Sequence, residues 1–149
     1  MRDTLLKGFS VIVDWQVAWS DMDALRHVNN VTYFRYFENV RIAYFERIKL
    51  WEIMEKTGIG PIISSTQCRF RIPLTYPDVV SIGSCVSDIS QDGFTMKLCV
   101  ASHRLSKIAA EGEALLVSFD YRNNRRVPMP TQLKQNILDL EEAGRQKLQ

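Results

Sequence analysis

The sequence predicts an α+β protein in which a mostly antiparallel sheet packs against one long helix. A segment with strand-like alternation comes first, a helix-like aromatic stripe follows, and about four more strand-like segments joined by short turns complete the order. Strands joined by short turns lie antiparallel. The 149 residues, of which 46% are hydrophobic and 24% charged, are typical of a single globular domain over residues 1–149. Such a sheet has unpaired edges, which favours self-association.

Two different periods predict the first strand and the long helix. Between residues 9 and 20 large apolar residues occupy every second position, which is typical of a strand with one covered face. After a polar loop, apolar residues recur at the helical spacings of three and four, at Tyr33, Phe37, Val40, Tyr44 and Ile48. Asn29 or Asn30 is suited to cap the start of this helix, and Gly58 followed by Pro61 marks its end.

The rest of the chain reads as a meander of strands and a closing helix. Alternating apolar residues predict strands at 66–74, 80–86, 94–100 and 113–121. Gln91-Asp92-Gly93 is a hairpin signal, because glycine readily adopts the positive φ that tight turns require. A short helix is expected from Thr131 to about Glu142.

Composition and absent motifs exclude several classes of function. A formal net charge of +2 gives no overall basic field for nucleic acid. Residues 1–10 lack the apolar core of a secretory signal and no apolar run is long enough to span a membrane, so a cytoplasmic protein without a membrane partner is expected. Cys68, Cys85 and Cys99 are scattered and predict neither a disulfide framework nor a zinc site. We expect all three to be small buried residues.

The sequence lacks several familiar motifs of nucleophilic, phosphate-binding and metalloprotease sites. These are G-x-S-x-G, Walker A, G-x-G-x-x-G and H-E-x-x-H. His27 and His103 are its two histidines, which argues against a multi-histidine metal mechanism. We therefore expect carboxylate side chains and backbone dipoles to carry the chemistry of the site.

The polar loop before the helix, together with the first turns of the helix, resembles a known family over residues 19–41. The loop reads Asp21-Met22-Asp23-Ala24-Leu25-Arg26-His27-Val28-Asn29-Asn30 and is similar to the D-x-D-x-x-G-H-V-N-N loop of the 4-hydroxybenzoyl-CoA thioesterase-like hot-dog proteins. Tyr33, Tyr36, Glu38 and Arg41 then match that family's Y-x-x-Y-x-E-x-x-R helix. Residues 70–78 and 109–130 are also similar, so the resemblance covers roughly residues 9–140. It implies the hot-dog fold, a curved antiparallel sheet of about five strands wrapped around one long central helix, with a short C-terminal helix.

The resemblance implies an acyl-CoA thioesterase with Asp23 as the catalytic carboxylate. A carboxylate can attack a thioester carbonyl directly or deprotonate a water that does so. The backbone N–H of Asn30, at the positive end of the helix dipole, would then stabilise the negative charge on the carbonyl oxygen. By position in the motif, His27, Val28, Asn29 and Tyr33 are candidates to contact substrate.

Each of these residues also has a purely structural alternative. Asp23 could cap a turn, and the outer aspartate, Asp21, is expected to be structural. His27 could be a hydrogen-bonded scaffold residue, Asn29 could act only as a helix cap, and Tyr33 could be core.

One position departs from the family pattern, because Arg26 stands where the family has glycine. Glycine permits backbone angles that arginine disfavours, so the loop is expected to differ in shape, or Arg26 to point at substrate.

Arginines suit the phosphates of coenzyme A. Arg69 and Arg71 are the first candidates, although an ordinary solvated charge is the simpler interpretation of each candidate. The other basic candidates are Arg104, Lys107, Arg122, Arg125 and Arg126.

The resemblance also predicts a homodimer or homotetramer that needs no metal and no bound cofactor, since coenzyme A is part of the substrate. Two alternatives keep the fold: a thioesterase that takes its acyl group from acyl carrier protein, and a non-catalytic acyl-CoA-binding protein. A hot-dog dehydratase is disfavoured because its histidine lies on the central helix, whereas no histidine occurs between Val28 and Ser102.

Overall fold

The computed structural model describes residues 1–146 and has the α+β architecture that the sequence predicts. The sheet is antiparallel throughout, in the strand order β1-β3-β4-β5-β2, with the short β6 beside β5. The elements are α1 (Arg2–Leu5), β1 (Val11–Gln16), a 3-10 turn (Trp19–Asp21), α2 (Asn30–Arg47), α3 (Leu50–Thr57), β2 (Ile59–Phe70), β3 (Val79–Ser90), β4 (Gly93–Ser102), β5 (Lys107–Asp120), β6 (Arg125–Arg126) and α4 (Thr131–Gln146). The first and last strands of this order, β1 and β2, form the two edges of the sheet.

The core lies between helix α2 and the inner face of the sheet. Tyr36, Phe37, Val40 and Tyr44 of α2 are at most 1% exposed and pack with inner-face residues such as Met96. Full burial of a large apolar side chain contributes about 1.5–3 kcal/mol to folding, so this aromatic stripe is a main source of stability. The stripe fixes α2 against the sheet and therefore fixes the position of the helix start.

The central helix is shorter than predicted. It ends at Arg47, and Lys49 adopts a left-handed conformation (φ 58°, ψ 35°) that starts the separate helix α3. The prediction failed because the apolar pattern continues across the break: Leu50 and Ile53 are both buried. Gly58 does end a helix as predicted, since it is the left-handed C-cap of α3 and its N–H donates to the carbonyl of Met54 at 2.7 Å.

The boundaries of several strands also differ from the prediction, and β5, for example, begins at Lys107 and not at residue 113. β1 stops at Gln16, and the predicted covered face fails at its end, where Trp15 is 48% and Trp19 73% exposed. β2 begins at Ile59, directly after α3. The sequence did not predict its first half, because an irregularity between Ile63 and Ser65 interrupts the alternation of apolar residues.

The β3–β4 hairpin turns at the predicted residues but for a different reason. Gly93 does not adopt a positive φ, and within residues 1–146 the glycines that do are Gly8 and Gly58. A Cβ at position 93 would collide with the backbone carbonyl of Leu116 on β5. The glycine is therefore needed for close backbone approach, and its conformational freedom is not used.

The outer face of the sheet carries a second, smaller apolar cluster. Helix α1, which the sequence patterns did not predict, brings Leu6 against Cys99 and Ala101 of β4, and all three residues are at most 3% exposed. Among the helices that the structure describes, none is both long enough and apolar enough to cross a membrane.

Candidate active site

The polar loop before α2 is a tight hairpin. Met22 and Val28 form an antiparallel bridge, and the Asp23 N–H donates to the carbonyl of His27 at 3.1 Å. The Asp23 carbonyl in turn accepts the N–H of Arg26 at 3.0 Å. This pattern closes a three-residue loop, a type of connection whose last residue is normally left-handed.

Arg26 occupies that left-handed position, with φ 66°. Arg26 therefore adopts a backbone conformation that glycine favours, and its side chain does not prevent the three-residue turn from forming. A left-handed conformation costs a non-glycine residue roughly 1–2 kcal/mol. The chain tolerates this local strain and retains the hairpin.

The Asp23 carboxylate is exposed and only partly engaged. Its Oδ1 accepts the N–H of Leu25 at 2.9 Å, which is the turn-capping role that the sequence left open as an alternative. Its Oδ2 accepts no hydrogen bond from any group within residues 1–146. The turn bond therefore orients the carboxylate while leaving one oxygen available.

The start of α2 presents an N–H group that has no hydrogen-bond partner among residues 1–146. Asn29 is the N-cap, and its side chain accepts the N–H of Val31 at 3.1 Å. Its own N–H donates to the carbonyl of Asp21 at 2.8 Å. Asn30 is the first helical residue, and no acceptor for its N–H lies in the described part of the chain. An 18-residue helix directs the positive end of its dipole to this point.

Two of the predicted substrate-contact residues anchor the loop to the core. Val28 is 5% exposed, and its N–H donates to the carbonyl of Leu74 at 2.8 Å. Tyr33 is 3% exposed, its ring packs edge-on against Phe70 with centroids 5.0 Å apart, and burial raises the pKa of its hydroxyl to about 12. His27 is exposed and Asn29 half-buried, so these two remain accessible beside Asp23.

The base of the hairpin involves a residue whose role the sequence did not reveal. The Oδ2 of Asp21 accepts the N–H of Ala18 at 2.8 Å and the hydroxyl of Tyr36 at 3.4 Å, and these contacts confirm a structural role for Asp21. Tyr36 was visible in the sequence only as part of the helix motif. Its contact spans 15 residues of chain, and no local pattern encodes it.

Comparison with known proteins identifies the family. A model of the thioesterase-like superfamily matches residues 17–137, which is most of the chain. The chain belongs to the thioesterase-like superfamily. The predicted family, the hot-dog fold and the predicted enzyme class, thioester hydrolase, are thereby confirmed.

Individual relatives agree with this assignment. A thioesterase from Thermus thermophilus, solved in complex with coenzyme A and Zn, is 28% identical with a TM-score of 0.80, and the match covers 91% of this chain and 97% of that one. The Staphylococcus aureus protein SAV2348, solved in complex with CoA, has a TM-score of 0.81 but is only 13% identical over 89% of this chain and 84% of that one, so it supports the fold alone. The Bacillus subtilis protein YsmA is 37% identical over 63 residues, which is 42% of each chain.

Arg69 and Arg71, the first candidates to bind the phosphates of coenzyme A, lie on the outer face of the sheet, away from α2. They line an open groove of about 390 Å³ together with Gln67, Lys97 and Glu113. Arg71 is already paired, because its Nη2 and Nε lie 2.7 and 3.1 Å from the Oε2 of Glu111. The structure therefore leaves Arg69 as the less engaged member of the pair.

The cysteines of this thioesterase-family chain are free. Cys99 is buried as expected, whereas Cys68 and Cys85 are only half-buried. Burial raises the pKa of Cys68 and Cys85 to about 11 and that of Cys99 to about 12, so all three remain neutral thiols near neutral pH. No group of three His, Cys, Asp or Glu side chains converges on a possible metal position within residues 1–146.

Proposed function

We propose that this chain is a single-domain acyl-CoA thioesterase that hydrolyses the thioester to a free carboxylic acid and coenzyme A. The observation that carries the proposal is that two groups, Asp23 Oδ2 and the Asn30 N–H, have no hydrogen-bond partner within residues 1–146. Both groups belong to one hairpin and the helix start that directly follows it. Further support comes from the coenzyme A bound by the Thermus relative.

In the proposed reaction the thioester carbonyl oxygen accepts a hydrogen bond from the Asn30 N–H. Negative charge that develops on this oxygen is stabilised by the N–H group and by the helix dipole. Asp23 then acts in one of two ways. It adds to the carbonyl carbon to give a mixed anhydride that water cleaves, or it takes a proton from the water that attacks. Either way the C–S bond breaks, and coenzyme A leaves as a thiolate that acquires a proton.

The proposal extends to the substrate contacts, the assembly and the location of the enzyme. The accessible His27 and Asn29 contact the acyl group, the buried Val28 and Tyr33 anchor the site behind them, and Arg69 with Arg71 contacts the coenzyme A phosphates. The enzyme acts in the cytoplasm as a homodimer or homotetramer and needs no resident metal or cofactor. The unpaired sheet edges at β1 and β2 support self-association.

The variant Asp23→Asn, assayed with a panel of acyl-CoA and acyl-carrier-protein thioesters, tests the proposal. We expect turnover to fall by at least ~10²-fold, because the amide is neither a nucleophile nor a base, while the unfolding midpoint changes little. Asp88→Asn is the matched control, since Asp88 is an exposed aspartate on β3 and its loss should leave turnover unchanged.

Three results would contradict parts of the proposal. Full activity of Asp23→Asn would remove Asp23 from the mechanism. Turnover of the carrier-protein thioesters alone would correct the substrate. Binding of acyl-CoA without any turnover by the unmodified protein would identify a non-catalytic acyl-CoA-binding protein.

A further inference from the structure

We propose that Asp21 and Tyr36 are positioning residues, which hold the Asp23 hairpin at a fixed distance and angle from the first N–H of α2. This inference rests on the proposed thioesterase function. It assigns no contact with substrate to either residue. Their role is to set the geometry in which the reacting groups of Asp23 and Asn30 meet the thioester.

Asp21 joins the two ends of the hairpin. Its backbone carbonyl accepts the N–H of Asn29, the N-cap of α2, at 2.8 Å. Its side chain, through Oδ2, accepts the N–H of Ala18 at 2.8 Å and so closes the 3-10 turn by which the chain enters the loop. One residue therefore fixes both the entry to the hairpin and the exit into the helix.

Tyr36 connects this junction to the body of the central helix. It is 1% exposed, and its hydroxyl donates to Asp21 Oδ2 at 3.4 Å from the second turn of α2. Burial, and then the negative charge of Asp21, raise the pKa of Tyr36, so the hydroxyl stays protonated and remains a donor. The ring is held by the core, and the position of the hydroxyl is therefore set by the helix and not by the loop.

The two hydrogen bonds to Asp21 Oδ2 stabilise different parts of the structure. The Ala18 N–H keeps the local turn, whereas the Tyr36 hydroxyl ties that turn to the helix. Removal of the hydroxyl alone should leave the turn folded and weaken its attachment to α2, because the hydrogen bond from the Asn29 N–H to Asp21 then remains without the support of Tyr36. Small errors in the placement of reacting groups lower the rate of the chemical step much more than they lower substrate affinity. Tyr36→Phe should consequently lower kcat and leave KM nearly unchanged.

The experiment compares Tyr36→Phe with Tyr44→Phe. Tyr44 lies about two turns further along the same helix, is 0% exposed, and donates its hydroxyl to Glu141 at 2.5 Å, on a different side of the molecule from Asp23. Both variants remove one hydroxyl that donates to a carboxylate and keep the buried ring. We expect Tyr36→Phe to lower kcat about tenfold with KM within about twofold, and Tyr44→Phe to lower stability while kcat stays within about twofold.

A second readout does not depend on catalysis. The amide of Asn29 donates to the carbonyl of Asp21, so its hydrogen exchange reports whether the junction stays closed. We expect exchange of this amide to be about tenfold faster in Tyr36→Phe and unchanged in Tyr44→Phe.

The results of these experiments distinguish failure of the positioning role from failure of the proposed thioesterase function. Equal kcat values for Tyr36→Phe and the unmodified enzyme, or an equal loss in Tyr44→Phe, would overturn the positioning role and leave Asp23 in place. Unchanged Asn29 exchange in Tyr36→Phe would overturn it as well. Full activity of Asp23→Asn, or an unmodified protein without any turnover, would overturn the proposed function, while the exchange measurement would still decide whether Tyr36 holds the loop.

Discussion

Two carboxylates at the two ends of the central helix differ in how fully the chain uses them. Both oxygens of Glu141 of α4 are engaged: Glu141 accepts the hydroxyl of Ser10 at 2.5 Å, that of Tyr44 at 2.5 Å and the N–H of Val86 at 3.1 Å. Asp23 accepts one backbone N–H from its own turn and keeps Oδ2 free within the described residues. A carboxylate whose two oxygens are both bound by its own chain serves stability, and one that keeps an oxygen unbound is available for chemistry.

The clamp around Glu141 depends on the fold of four separate segments. The Val86 N–H is available because it points to the β1 side of β3, where the pairing with β1 ends at Val11 and Ser84. Ser10 precedes β1, and Tyr44 lies near the end of α2. Glu141 therefore ties the C-terminal helix to the central helix, to the sheet and to the start of the chain.

The largest expected effect on stability is that of Glu141→Ala. Hydrogen bonds to a charged group contribute about 1.5–3 kcal/mol each, and the substitution also leaves the buried hydroxyl of Tyr44 without a partner. Because the contributions are not additive and Glu141 is only half-buried, we expect the free energy of unfolding to fall by about 3 kcal/mol in total. Urea unfolding measures it.

The same variant also tests the comparison between the carboxylates. Turnover per folded molecule should be unchanged, in contrast to Asp23→Asn, where turnover should fall and stability should not. A Glu141→Ala protein as stable as the parent, or one that is stable but inactive, would break the distinction between a structural and a functional carboxylate.

For a single buried tyrosine, a smaller effect is expected at alkaline pH. Burial raises the pKa of Tyr33, Tyr36 and Tyr44 above the ordinary value of 10.0, and neighbouring carboxylates add to the shift at Tyr36 and Tyr44. Above pH 10 the unfolded chain releases these protons and the folded chain keeps them. The stability that these groups contribute is present below pH 10 and lost as the pH rises through the folded pKa values, by about 1.4 kcal/mol per pH unit for each tyrosine.

The thiols of Cys68, Cys85 and Cys99, whose pKa values burial also raises, add to the same loss from about pH 9. The contribution of one tyrosine is isolated by comparing the slope of unfolding free energy against pH, between pH 10 and 11, in the parent and in Tyr44→Phe. In Tyr44→Phe the free energy of unfolding should fall less steeply with pH, by about 1.4 kcal/mol per pH unit, which is the contribution of one proton. Parallel slopes would mean that Tyr44 ionises as easily in the folded protein as in the unfolded chain.

The sequence was sufficient for the parts of the site that depend on local chemistry. The helical period that starts at Tyr33 located α2, and asparagine at the N-cap follows from its ability to accept a backbone N–H. Asp23 was placed in a loop directly before the helix by resemblance to the family, and the hairpin confirms that location. Its catalytic role stays a prediction.

The other features of the fold and the site could not be predicted from the sequence. They depend on contacts between distant residues, or on interruptions of a helix or strand that leave the apolar pattern intact. The left-handed Lys49 divides the helix while Leu50 and Ile53 continue the stripe. The tie between Asp21 and Tyr36 joins positions 15 residues apart and requires the folded loop. The predicted covered face of β1 failed at Trp19 because the chain leaves the sheet after Gln16 and enters a 3-10 turn.

The smallest effect is expected at the point where this chain departs from the family loop. Arg26 is exposed and adopts φ 66°, so Arg26→Gly should relieve the left-handed strain. Glycine also gains freedom in the unfolded chain, which offsets part of the benefit. We therefore expect a net gain of about 0.5–1 kcal/mol in the free energy of unfolding.

Because the hairpin already has the shape that glycine favours, kcat for the preferred acyl-CoA should change by less than about twofold in Arg26→Gly. Lys49→Gly is the matched control, since Lys49 is an exposed left-handed residue at a helix boundary far from the loop and should show a similar gain in stability. A large rise in KM for Arg26→Gly alone would show that the arginine side chain contacts substrate. A loss of stability in that variant alone would show that the side chain stabilises the loop, so that its presence offsets the strain it imposes on the hairpin carrying Asp23.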